Sequence, residues 1–119
     1  MKIIIKGRYP DMNKIINADR AHWAIGAKLK KLATAQMALQ IPNRTLSTPI
    51  FIDYDFYIPL SCRLDPDNIF GGFQKAFLDA LQKKGLLRND SKKEILGFSA
   101  AFHEAVDNDY TTIINIEES

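Results

Sequence analysis

Cysteine is almost missing from this chain: Cys62 stands alone, which excludes an internal disulfide and leaves no cysteine-rich metal motif. Histidine is scarce as well, and His22 and His103 lie too far apart to have metal-ligand spacing, so both are expected to be structural. With no histidine nearby in sequence, Cys62 is expected to be a buried or inert thiol. Long apolar runs are lacking too. No fifteen-residue apolar segment follows a basic start, so neither a secretory signal nor a membrane span is expected, and the cytoplasm is the default compartment. Repeats, linkers and low-complexity stretches are absent. What remains, 119 residues of which 46% are hydrophobic, is enough for one ordinary core, so residues 1–119 are expected to form a single domain.

The net charge of +2 hides a division. Residues 1–46 hold nine Lys/Arg against Asp11 and Asp19, a balance of +7. Residues 47–119 hold seven basic groups against twelve acidic ones, a balance of −5. Such a chain suits a protein that holds a polyanion with one surface and chelates a cation with another, although small domains also scatter charge by chance.

Periodicity supplies the elements. Met1, Ile3 and Ile5 alternate with lysines up to Gly7, which predicts a first strand, and residues 8–17 read as a loop. Asn17 or Asp19 can cap a helix running to about Gln40, with Ile25, Leu29, Leu32 and Leu39 as its apolar stripe and Pro42 as its stop. Ile50, Ile52, Tyr54, Phe56 and Ile58 alternate cleanly, so a second strand has one buried face and one wet face bearing Asp53 and Asp55. Phe70, Phe73, Phe77 and Leu81 then recur at helical steps, predicting a second helix over about 68–84 closed by a left-handed Gly85. Leu96 to Phe102 and Thr112 to Ile116 give two more strands, and Asp107-Asn108-Asp109 between them is turn chemistry that predicts an antiparallel hairpin. The expected order is β-α-β-α-β-β, an α+β fold with a mixed four-stranded sheet and two helices packed on it.

The acidic residues carry the chemistry. Asp65 and Asp67 sit two apart where the chain leaves the second strand, and extended residues at that spacing project to one side, so both carboxylates can meet one cation. Two carboxylates so placed repel unless a positive charge joins them, and Mg²⁺ is a hard ion that wants oxygen ligands. The plainer alternative is a helix cap, which stabilises by roughly 1 kcal/mol. Gly71 and Gly72 fall in the first turns of the second helix, where each costs roughly 1 kcal/mol relative to Ala and so asks for a reason. Lys75 lies on the polar helix face, free to neutralise a phosphate or to pair with Asp79 four residues on. Asp90 could complete a carboxylate triad. A helix over 68–84 would be about 25 Å long, and five residues, 85–89, span at most about 17–18 Å. Asp90 therefore meets the pair only if the loop doubles back or if it enters the site of a second subunit.

Asp65-Pro66-Asp67-Asn68-Ile69, Lys75-Ala76-Phe77-Leu78-Asp79-Ala80-Leu81, Gly85-Leu86-Leu87 and Asn89-Asp90 together resemble the signature of RusA-type Holliday junction resolvases, over about residues 63–91. Gly7, Pro10, Asn13 and the basic segment around Lys28, Lys30 and Lys31 are similar to the N-terminal region of phage-encoded members. The resemblance implies an α/β homodimer that resolves four-way DNA junctions by paired Mg²⁺-dependent nicks, Mn²⁺ being the substitute ion. It implies catalytic, metal-binding roles for Asp65, Asp67 and Asp90, and an assisting lysine in the second helix. Known members carry that lysine where this chain has Gly71; Lys75 comes one turn later. Lys28, Lys30, Lys31 and Arg20 would contact phosphates without reading sequence. Two other classes compete: a branched-DNA-binding dimer without catalysis, and a protein-interaction module using Phe70, Phe73 and Phe77.

Overall fold

The computed structural model describes all 119 residues. Its elements are β1 (Lys2–Lys6), α1 (Met12–Ala21), α2 (Trp23–Ala38), β2 (Ile50–Ile58), α3 (Pro66–Lys83), β3 (Ile95–Glu104) and β4 (Thr111–Glu117). The fold is α+β with a mixed four-stranded sheet, as expected, and it has three helices where two were predicted. No helix is long and apolar enough to cross a membrane.

The extra helix comes from residues assigned to a loop. Asp11, not Asn17 or Asp19, is the first cap: its carboxylate accepts from Lys14 N–H at 3.0 Å and starts α1 at Met12. The long helix predicted to reach Gln40 breaks at His22, whose backbone is extended and whose Nδ1 accepts from Ala24 N–H at 3.1 Å, capping α2. The imidazole is thus structural. The break lets α1 and α2 fold against each other at Gly26, where an added Cβ would lie 1.7 Å from Asp19 Oδ1. It also reverses the predicted stripe of α2. Gly26, Ala33, Met37 and Ala38 are buried while Ile25, Leu32 and Leu39 face out and Leu29 is half-buried, because close helix contact selects the small residues for the inner side.

The sheet order is β1-β4-β2-β3, so the predicted hairpin of β3 with β4 does not form. Instead β4 lies antiparallel between β1 and β2, with Ile114 opposite both Ile3 and Tyr54. β3 runs parallel to β2 on the outside, with Ala100 opposite Tyr54 and Phe102 opposite Phe56. Burial explains the exchange. Thr112, Ile114 and Ile116 all lie under the helices, so β4 takes an interior position, whereas only Ile95 of β3 is buried. The turn acids are satisfied locally, Asp107 accepting from Asp109 N–H at 3.1 Å, and give no pairing register.

α3 packs on the same sheet face through the predicted Phe73, Phe77 and Leu81, assisted by Ala76 and Ala80. Tyr54 and Phe56 meet Phe73 edge to face at ring separations of 6.0 and 5.2 Å, the geometry aromatic quadrupoles prefer. The Tyr54 hydroxyl donates to Gln74 Oε1. β2, α3 and β3 form a crossover between parallel strands, so α3 runs antiparallel to both. This places residue 65 at the carboxyl ends of β2 and β3 and residue 90 at the opposite end.

Candidate functional site

Asp65 occupies the N-cap position of α3 with extended backbone (φ −71, ψ 146), yet its side chain makes no capping hydrogen bond. Pro66 at the first helical position has no N–H to offer, and the Asp65 carboxylate remains free for another partner. Asp67 follows in the first turn, and both acids are exposed. Their neighbour Asn68 is fixed: its Oδ1 accepts from Asn13 N–H at 2.8 Å, tying the start of α1 to the start of α3. Gly72 strengthens this tie, since an added Cβ would come within 2.2 Å of Pro10 O and 2.7 Å of Asp11 Cα. That contact supplies the reason Gly72 asked for. Gly71 has a softer neighbour, Met12 Cε at 3.2 Å from its would-be Cβ.

Asp90 lies elsewhere. Burial, first, and then the neighbouring Asp90 charge raise the Asp79 carboxyl above its ordinary 3.8, with Lys75 and Lys30 drawing it partly back. Asp90 is thus a neighbour of Asp79, and twelve residues of helix put Asp79 about 18 Å beyond Asp67 along the axis. No three His, Cys, Asp or Glu side chains of the chain are placed to share a metal ion. The loop does not double back, and Asp65, Asp67 and Asp90 do not converge within one chain. The pair Asp65 and Asp67 alone still matches Mg²⁺ in its oxygen chemistry, because that ion commonly takes one or two carboxylates and keeps several waters.

The basic candidates divide similarly. Lys30 Nζ bonds Asp19 Oδ2 at 2.9 Å and, with Lys75 and Asp79, lines a small depression beside Gly72. Lys75 acts on Asp79 as a nearby charge. Arg20, Lys28 and Lys31 are exposed on the α1–α2 hairpin, as is Trp23, which is 75% exposed and stacks on His22 at 5.8 Å. No protein-family model matches the sequence, and no curated protein matches it. The open sheet face holds a further arrangement: His103 Nε2 lies 2.8 Å from Asp55 Oδ1 and its ring stacks on Tyr57, while Asp53 accepts from the Ser99 hydroxyl. These contacts account for Asp53, Asp55 and His103 as members of the sheet surface. Cys62 is a half-buried free thiol.

Sequence reasoning missed Trp23 and the proximity of Asp79 to Asp90. A lone large aromatic among cations was the available signal for the first; nothing in local spacing carries the second.

Proposed function

We propose that the chain is a homodimeric, Mg²⁺-dependent endonuclease acting on branched DNA, four-way junctions above all, in which Asp65 and Asp67 of one subunit and Asp90 of the other hold the ion. The supporting observation is the exposed Asp65-Pro66-Asp67 step at the carboxyl ends of parallel strands, where open α/β sheets bind ligands, with the first carboxylate unspent on its helix. The resemblance over residues 63–91 to RusA-type resolvases supports the same choice of acids. The wide separation of Asp90 from the pair favours a site completed by a second subunit.

The bound ion, Mg²⁺ or Mn²⁺, supplies an activated water and charge neutralisation at the scissile phosphate. The protein's own part is positioning. Pro66 and the Asn68–Asn13 bond fix the two carboxylates, while Lys28, Lys31 and Arg20 hold the DNA backbone without reading bases, and Lys30 joins them if Asp19 releases it. Lys75, a turn beyond the position of the family lysine, offsets charge at Asp79. The cytoplasm is the compartment this reading assigns to it.

The absence of convergence within one chain also favours a second reading, a branched-DNA-binding dimer without catalysis. Incubating a labelled synthetic four-way junction with and without Mg²⁺ separates them. Metal-dependent nicking that is lost in Asp67→Asn with binding retained is the expected result. Binding that persists in EDTA with no nicking in Mg²⁺ supports the inactive dimer, and full nicking by Asp67→Asn removes the catalytic assignment.

A further inference from the structure

The two edges of the sheet are built differently. β1 is five residues long, begins and ends in lysine, and its Lys6 N–H is occupied by Gln40 Oε1 at 2.6 Å, three devices that discourage another strand from pairing. β3 is ten residues long, has no lysine or proline, and carries no acid before Glu104. Its Phe98 and Phe102 remain 41% and 37% exposed although they lie on the face that the helices cover over β2. Ala105 N–H bonds Ile58 O at 2.9 Å, and strand alternation then turns the odd-numbered residues from Gly97 onward toward β2. The N–H and C=O groups of Phe98, Ala100 and Phe102 point outward, with no strand to receive them.

From this edge we infer that β3 pairs antiparallel with β3 of a second copy about a two-fold axis at Ala100, joining the two sheets into one. That register sets each Phe98 opposite the other copy's Phe102 on the same face, so the two apolar shelves cover one another. It also brings the exposed Lys92 and Lys93, just before one β3, toward the end of the other, where Glu104 and Asp107 are exposed, so the basic approach to each strand meets the acidic end of the other. Antiparallel pairing has a consequence for the site. The start of one β3, just after Asp90, comes to the end of the other β3, where Asp65 and Asp67 are open. The consequence at Asp90 rests on the nuclease proposal, but the pairing itself does not.

A thiol at the axis tests it. In a Cys62→Ser background, Ala100→Cys puts two facing Cα atoms about 5.5 Å apart, as in a hydrogen-bonded antiparallel pair, within the roughly 4.4–6.8 Å a disulfide spans. Under mild oxidation it is expected to cross-link roughly ten-fold faster than Asn115→Cys, exposed on interior strand β4, because a facing thiol has a high effective concentration. Light scattering is expected to give a dimer for the unmodified chain and a folded monomer for Ala100→Pro, which removes only an outward N–H. A monomeric wild-type protein, or equal cross-linking of the two thiol variants, overturns the interface. A cross-linked dimer that never nicks a junction leaves the interface standing and removes the nuclease proposal instead.

Discussion

Two adjacent glycines in α3 are expected to respond to alanine in opposite directions. Both lie inside a helix, where Gly→Ala gains about 1 kcal/mol from backbone entropy. At Gly71 the new methyl meets only Met12 Cε at 3.2 Å, the far end of a flexible side chain, so most of that gain survives. At Gly72 it meets backbone: Pro10 O at 2.2 Å, Asp11 Cα at 2.7 Å and Asp11 C at 2.8 Å. Overpacking against atoms that cannot rotate away costs about 3 kcal/mol, the upper end of its usual range. Gly72→Ala is therefore expected to lose about 2 kcal/mol net, a fall in Tm of roughly 8 °C at about 4 °C per kcal/mol for a chain of this size. Urea unfolding followed by circular dichroism measures both variants. Equal stabilities for Gly71→Ala and Gly72→Ala would refute the claim that α1 docks on α3 at Gly72, and with it the account of how Asp67 is held.

The other tests address the core and the acids. Gln74→Leu strands the buried Tyr54 hydroxyl and is expected to cost about 1–3 kcal/mol in chemical unfolding, with Tyr54→Phe in the same chain recovering most of it; an uncoupled double mutant would contradict the bond. Because the Asp79 carboxyl is raised by burial and by Asp90, it binds its proton more tightly folded than unfolded. Stability is then expected to fall as pH climbs from the ordinary 3.8 through the raised value and to return on acidification, a slope that Asp79→Asn flattens. In carboxyl NMR titrations Asp90→Asn is expected to lower the Asp79 midpoint, and an unmoved midpoint would mean that the two are not neighbours.

Much of this fold is legible in the pattern of single residues. Tyr54 and Phe56 alternate with acids, so one face of β2 had to be buried, and the spacing of Phe73, Phe77 and Leu81 fixes the inner side of α3. Gly85, with φ +78, takes the left-handed conformation expected of it. The failures share a cause, which is that local pattern says nothing about competition between distant segments. Ile25, Leu32 and Leu39 look like a core stripe until Gly26 and Ala33 permit a closer helix contact on the other side. Asp107 and Asp109 promise a hairpin, but β4 buries more side chain between β1 and β2 than beside β3. At the candidate site the free Asp65 carboxylate was open to sequence reasoning as one of two alternatives, and the structure decides against the cap. Residue 90 could be recognised as a problem of reach, but its place beside Asp79 depends on the crossover direction, which no short motif encodes.

Mixing subunits puts the trans arrangement of the acids to its sharpest test. Asp67→Asn and Asp90→Asn, each expected to be inactive alone, are refolded together and assayed on a labelled four-way junction with Mg²⁺. Recovery of roughly a quarter of the wild-type sites is expected, since half the dimers are mixed and each mixed dimer unites one intact Asp65/Asp67 pair with one intact Asp90. A mixture that binds the junction as a dimer and nicks no more than either parent would contradict the assignment.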